Sequence, residues 1–559
     1  MRIQLLSSVA AFVTAASVFA GASGTLNNGQ TSPGDVTGIA LAPESAIQPD
    51  EAARLAKQAS FGPTPELVDA IVAKKSAAAW LDEQFTLSQS TYVDVAEKNA
   101  PVNFCATLSG TEQTNCVREY FSAVPTQMRF YKNAIYGNDQ LRQRVAFALS
   151  QIIVASEFEV HSTAGLATFN QILLGNAFGN YRDILKAVTL NPYMGDYLDM
   201  ADSNKSQPNE NYARELMQLF SVGTVLLNPD GTPQTDNTGA TIATYSNTDV
   251  KEVARALTGW TYARLNGAAL TDYNNRDLSK PMVMYASRYD TGAKTFLGKT
   301  VAANATQQAS VDAVVDTMFN HPNTAPYICK RLIQQLTLAN PTPAYVERVA
   351  AVFADNGAGV RGDLKAVVRA IYLDSEARTV SQLPGKVKEP VLLATSLARA
   401  IGYQTDGYAM VLRDAAMGQA AFRAPSVFNY YSYNFPLPQG EGVLSPVSKI
   451  ITTSTTMARH NFLYDWTMSD TRPEYASLLP NVGSAPDWAS WEALGTDDGK
   501  ILDRINLVML NGTMTSAQRQ SLLTAMAQIK NATPALQTRK RAQMALYVVA
   551  SSPLFQVDR

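Results

Sequence analysis

Apolar residues recur at helical spacing along most of the chain. Leu141, Val145, Leu149 and Ile152 form one such stripe, with Arg142 and Arg144 outside it. Val250, Val253 and Leu257 mark a second helix, which Gly259 ends. Thr342 followed by Pro343 supplies a cap and a proline at the first helical position; this helix is expected to reach Ala354 and stop at Asp355-Asn356-Gly357. After Gly362, Leu364, Val367, Val368 and Ile371 share one side of another helix. Thr515-Ser516-Ala517-Gln518 is a capping box that opens a late helix, and a last one is expected over residues 538–551, before Pro553. Residues 224–305 break the habit. They hold the turn signals Asn228-Pro229-Asp230-Gly231 and Asp236-Asn237-Thr238-Gly239, and residues 281–285 and 294–298 pattern as short strands. The expected fold is therefore mainly α: a large multi-helix domain with a small β-hairpin excursion around 224–305. No fixed-period repeat supports a solenoid. A division into two subdomains near 305–340 is the alternative to one helical domain over residues 48–559.

The two ends of the pattern differ from the middle. Arg2, an apolar run over residues 5–20 and the small residues Ala20-Gly21-Ala22 predict a signal peptide over residues 1–22. Residues 23–47, rich in Gly, Ser, Thr, Asn and Pro, read as a flexible leader. No later apolar run is long enough to span a bilayer, so the expected protein is exported, periplasmic or secreted, without a membrane span. With 46% apolar residues the chain can bury a large core, and a net charge of −2 with no Lys/Arg block argues against a nucleic-acid partner. Cys105 and Cys116 flank the polar, turn-rich stretch 108–115, and in an oxidising compartment they are expected to form a disulfide closing that loop. Cys329 reads as a buried thiol. Three histidines in the whole chain disfavour a His-rich metal site, and no metal is predicted. Asp230, Asp236 and Asn237 offer oxygens to a cation but miss the EF-hand spacing. No P-loop, dinucleotide fingerprint, Gly-x-Ser-x-Gly or His-Glu-x-x-His motif occurs, so no cofactor is assigned.

Candidate chemistry concentrates in three places. On a helix over 210–220, Glu210, Asn211, Arg214, Glu215 and Gln218 fall within about 140° of one another, opposite Tyr212, Ala213, Leu216, Met217, Leu219 and Phe220. Glu210 and Arg214 form an i,i+4 pair in the favoured order. Glu215 is the candidate general acid/base, with Arg214 orienting an anionic group; the alternative is a solvated helix face or a structural ion network. The run Arg288-Tyr289-Asp290-Thr291-Gly292-Ala293-Lys294 mixes charges in a turn, where Asp290 and Lys294 can bind a polar substrate or simply decorate the turn. Residues 422–435 carry six aromatics, beside Arg423 and Asn429. Tyr430 and Tyr431 there suit a platform for a sugar ring or a peptide, or a core-packing loop whose hydroxyls reach backbone partners.

Several stretches together resemble the bacterial DUF1800 family, exported proteins of unknown function, over almost the whole mature length. They are Ala59-Ser60-Phe61-Gly62-Pro63-Thr64, the run from Leu141 to Ser150, Asn176-Ala177-Phe178-Gly179-Asn180, the Pro208–Phe220 helix motif, Leu257-Thr258-Gly259-Trp260, Asp290-Thr291-Gly292-Ala293-Lys294, Arg423-Ala424-Pro425-Ser426-Val427-Phe428-Asn429 and Ser551-Ser552-Pro553. The resemblance implies a mainly helical exported protein. It also implies a partnership with an exported DUF1501-like protein, a family similar to alkaline phosphatases and sulfatases. Where relatives carry histidine, this chain has Tyr289, Asn191 and Arg54, which argues against histidine chemistry at those positions. Two functions follow as expectations. One is an exported accessory or binding protein acting on a cell-surface or extracellular polymer, polysaccharide or peptide, or with a phosphatase/sulfatase-like partner. The other is an exported hydrolase with Glu215, Arg214 and Asp290 in a shared cleft. The first predicts separate ion pairs and an exposed aromatic patch; the second predicts convergence on one pocket.

Overall fold

The computed structural model describes residues 46–380, 385–437, 440, 442–470 and 483–558. The expected signal peptide and nearly all of the expected leader lie outside the described residues. The fold is mainly α, and its few strands pair two by two. Helices Pro343–Ala354, Leu364–Leu373, Asn247–Ala256 and Ser516–Ala527 stand where their caps and stripes place them, with Thr342, Asp363, Ser246 and Thr515 each accepting from a first-turn N–H. The last long helix begins earlier than its apolar pattern suggests, at Pro534, which fits because proline sacrifices no intrahelical bond at a first-turn position. A further short turn of helix, Pro553–Gln556, follows it.

Apolar side chains gather into two cores. The first draws on residues from Ile47 to Ala377, and residues 305–340 lie within it. The second joins the chain after Val391 to pieces of the N-terminal half, among them Phe61, Phe130 and Phe147. Helix Gln140–Ile152 belongs to both: Leu141, Val145, Leu149 and Ile152 face the first core and Phe147 the second. With protein on nearly every side, its polar residues are buried too. Arg144, expected outside the stripe, is 2% exposed and donates through Nη2 to the Gln335 carbonyl at 2.7 Å. The second core is built around helix Pro390–Ile401, all twelve residues of which are buried, so it has no solvent face to offer. Among the described residues no helix is long and apolar enough to cross a membrane.

The 224–305 excursion is present as isolated bridges (Val225 with Ala243, Leu227 with Pro233, Thr235 with Thr241) and three short antiparallel pairs. Its hairpin, Lys294–Phe296 with Lys299–Val301, turns through Leu297 and Gly298 at φ 46° and 76°, the left-handed pair a two-residue turn needs. Two further pairs lie elsewhere: Tyr403–Thr405 with Ser484–Pro486, and Lys386–Val387 with Val557–Asp558. The second of these lashes the C-terminal end to the middle of the chain.

Cys105 and Cys116 form a disulfide with Cα atoms 5.8 Å apart. The segment it closes is less loop-like than expected, because Cys116 sits on helix Gly110–Tyr120. No residue of that helix is buried, so the covalent link holds an element with little apolar surface to bury. Cys329 is fully buried, with its thiol directed at the Val349 carbonyl and pushed up by burial.

At the C-terminal pair, Asp558 meets Lys388 Nζ at 2.6 Å and Lys57 Nζ at 3.3 Å, and both lysines are nearly inaccessible. Burial alone would raise the Asp558 carboxyl; the two ammonium groups outweigh it and hold it at about 2. Its folded value lies below the unfolded 3.8, so this contribution to stability is complete above about pH 4 and is lost as pH falls toward 2. Asp558→Ala should leave two buried ammonium groups without a counter-charge and cost about 3 kcal/mol, read as a lower urea midpoint at neutral pH.

Candidate functional site

The motif helix spans Asn211–Gln218, shorter than its pattern. After Leu219 the ladder widens: Phe220 N–H reaches the Glu215 carbonyl and Val222 N–H the Met217 carbonyl. Gly223, at φ 70°, completes the exit, where a Cβ would come within 2.5 Å of the Tyr327 ring. Tyr212, Ala213, Leu216 and Met217 anchor the apolar face in the first core. On the polar face Arg214 pairs with Glu210 at 2.8 Å, and Asn211 donates to Asp199 at 2.7 Å. Glu215 is half-buried, and one of its oxygens is buried with no hydrogen-bond partner among the described residues. Burial pushes its carboxyl up, and Arg214 offsets part of that.

Asp290 and Lys294 are engaged elsewhere. Arg255 Nε donates to Asp290 at 2.8 Å while its Nη1 holds Glu252 at 2.8 Å. Lys294, 1% exposed, spends its ammonium on the backbone carbonyls of Asp290 and of Gly292. Together these bonds fasten the hairpin to helix Asn247–Ala256. No contact joins Glu215 to Asp290 among the described residues; the two carboxylates sit in different surroundings.

The aromatic run turns largely inward. Tyr430 donates to the Ala420 carbonyl, Tyr431 to Glu389 at 2.9 Å and Tyr433 to the Gln151 carbonyl at 2.9 Å, while Asn429 bonds Gln151. Of the six rings only Phe428 is exposed. The centre of this arrangement is Glu389, fully buried, one oxygen of which accepts from Gln151, Gln419 and Tyr431.

A groove of about 730 Å³ lies beside the disulfide. One wall is the disulfide segment, with Val102, Cys105, Val117, Tyr120 and Phe121; the other carries Glu157, Glu159, His161, Asp196, Arg276 and Leu278. Glu157 is 4% exposed and doubly held: Arg423 Nε lies 2.7 Å from one oxygen and His161 Nδ1 3.1 Å from the other. Asp196 accepts from the Tyr262 hydroxyl at 2.7 Å and faces Arg276 at 3.3 Å. Behind them, helix Pro192–Tyr197, capped by Asn191, buries the hydroxyls of Tyr193 and Tyr197 without a hydrogen-bond partner among the described residues. Burial pushes both phenols up; Glu157 adds to this at Tyr193, and Glu159 and Glu215 at Tyr197. This helix brings Asp196 to the groove, and the charge of Glu215 is felt at its Tyr197.

Of the residues singled out from sequence, Arg423 joins this site through its pair with Glu157, and Glu215 does not line it. Glu157, Glu159, His161, Asp196 and Arg276 escaped notice. Their only local signal is the alternation of Glu157-Phe158-Glu159-Val160-His161, where polar and apolar side chains take turns.

A family model described as "Protein of unknown function (DUF1800)" matches residues 54–557, so the chain belongs to that family. No curated protein matches the chain, and no solved structure does.

A raised carboxyl means the charged form is penalised in the folded state. Stability then falls as pH rises through the window above the usual value of 4.5, because the folded protein holds the proton that the unfolded chain has released. Glu215→Gln removes this penalty. The variant should melt no lower than the wild type at neutral pH, within about 0.5 kcal/mol or above it, and the difference should vanish in acid. Thermal melts across the acid range check both parts.

Proposed function

We propose that this member of the family is an exported binding protein that holds a stretch of extracellular or cell-surface polysaccharide in the groove beside its disulfide. The carrying observation is the composition of that groove: aromatic rings at Tyr120 and Phe121 on one wall, and hydrogen-bonding side chains from Glu157 to Arg276 on the other. Sugar rings offer apolar faces and hydroxyl edges, and this combination meets both. The signal-peptide pattern at the N-terminus and the disulfide support export. The pairing of Asp290 with Arg255, the carbonyl partners of Lys294 and the inward turn of the aromatic run take those groups out of competition as surface sites.

Retention of the purified protein on insoluble β-glucan, chitin or peptidoglycan sacculi tests the reading. Tyr120→Ala, which removes one ring from the wall, should weaken retention about tenfold, equivalent to about 1.4 kcal/mol; retention on none of the three overturns the reading. Cys105→Ser together with Cys116→Ser should weaken binding by a similar factor. Helix Gly110–Tyr120 buries no residue, so the variant should leave the melting of both cores nearly unchanged.

A further inference from the structure

Glu157, His161 and Arg423 form a relay on the groove wall. Glu157 is buried, and as the ionised partner of Arg423 it can only accept hydrogen bonds. His161 Nδ1, 3.1 Å away, must therefore be the donor. That fixes the tautomer and leaves the lone pair on Nε2. The imidazole is 61% exposed and lines the groove. The backbone holds the pair in register: Glu157 N–H bonds the Phe422 carbonyl, and Ser156 Oγ bonds the Ala424 carbonyl on either side of Arg423. A histidine oriented by a carboxylate that is itself clamped, with its free nitrogen in a roomy groove, is the arrangement of a general base.

We propose that His161 is a catalytic general base, positioned by Glu157 and Arg423, and that the groove hydrolyses carboxylic esters such as the O-acyl groups carried by polysaccharides. Nε2 takes a proton from water as the water oxygen bonds to the acyl carbon. The adduct then collapses, the acyl C–O bond breaks, and the departing alkoxide takes the proton back from Nε2. The products are an acid and an alcohol, and the imidazole is restored neutral. Arg276, which faces Asp196, and Lys98 are the cations that line the same groove and the ones to which the proposal gives the negative oxygen of the adduct. One imidazole that takes and returns a single proton suits acyl transfer to water. Glycosidic cleavage asks instead for a carboxylic acid and a second carboxylate across the sugar, and Glu157 is already committed to two partners.

The inference rests on the groove being the binding site, so the test uses a small ester as well as the polymer. Hydrolysis of 4-nitrophenyl acetate is measured with the wild type and with His161→Ala, an exposed position where folding is not at stake. His161→Ala should lose about 100-fold or more in kcat, although His321 and His460 remain. Glu157→Gln, which keeps the imidazole but not its charged anchor, should lower kcat with KM little changed. Equal rates in the wild type and His161→Ala overturn the proposal. Polymer retention by His161→Ala separates the two readings: retained binding with no His161-dependent hydrolysis sinks only the catalytic one, and His161-dependent hydrolysis without retention on any polymer sinks only the polysaccharide one.

Discussion

The buried carboxylate of Glu389 is the interaction on which the rest of the molecule depends. It sits just before Pro390, at the head of a helix that has no solvent face, in the seam between the two cores. A buried charge is tolerated only when it is hydrogen-bonded. Here the donors come from three separate segments: Gln151 on the helix shared by both cores, Gln419, and Tyr431. None of the three can move without leaving the charge short of a partner. The groove inherits its geometry from this. Tyr431 fixes the loop that carries Arg423, Gln151 ends the helix that leads into Glu157, and those two loops are bonded to each other on both sides of the Arg423–Glu157 pair.

The same seam collects positive charge. Arg144 and Lys386 both donate to the Gln335 carbonyl, and burial together with the nearby Arg144 charge pushes Lys386 down to about 7. Two residues along, Lys388 shares Asp558 with Lys57. The Lys386–Val387 strand, by pairing with Val557–Asp558, therefore delivers the counter-charge for its own neighbour. The C-terminal end is in this sense part of the core joint, and its stability is electrostatic where the helices around it are held by apolar contact.

Much of this fold can be read along the chain, because caps and stripes are local. Thr342, Asp355 and the Thr515 box place helix ends without reference to anything distant. The disulfide is legible because Cys105 and Cys116 are the two cysteines close in sequence. What is not legible is the burial of charge. Arg144 looks like the solvent side of an amphipathic helix until a second core covers it. The Lys386-Val387-Lys388-Glu389 run looks like a solvated turn, and its one hint is that it precedes twelve residues without a charge save Arg399. Strands of two or three residues carry no alternation to detect. The candidate site suffers most, since His161 and Glu157 are four apart but lie in a loop, and Arg423 reaches Glu157 from 266 positions further along.

The two walls of the groove differ in what holds them. The helix that brings Asp196 to the groove and the loop with Glu157 are tied to the first core and to the seam. The disulfide-side helix Gly110–Tyr120 has no fully buried residue and is held by the disulfide, the Lys98–Glu119 pair, the Phe104–Tyr120 ring contact and packing against helices Val124–Tyr136 and Thr163–Gly175. An element with so little buried surface opens at low free-energy cost, while the cores stay folded. In the binding role proposed for it, the groove would keep its polar side chains in fixed register and leave its apolar wall free to adjust to the occupant. The covalent link then stops that adjustment from becoming loss of the wall, since it holds a helix that has no buried residue of its own.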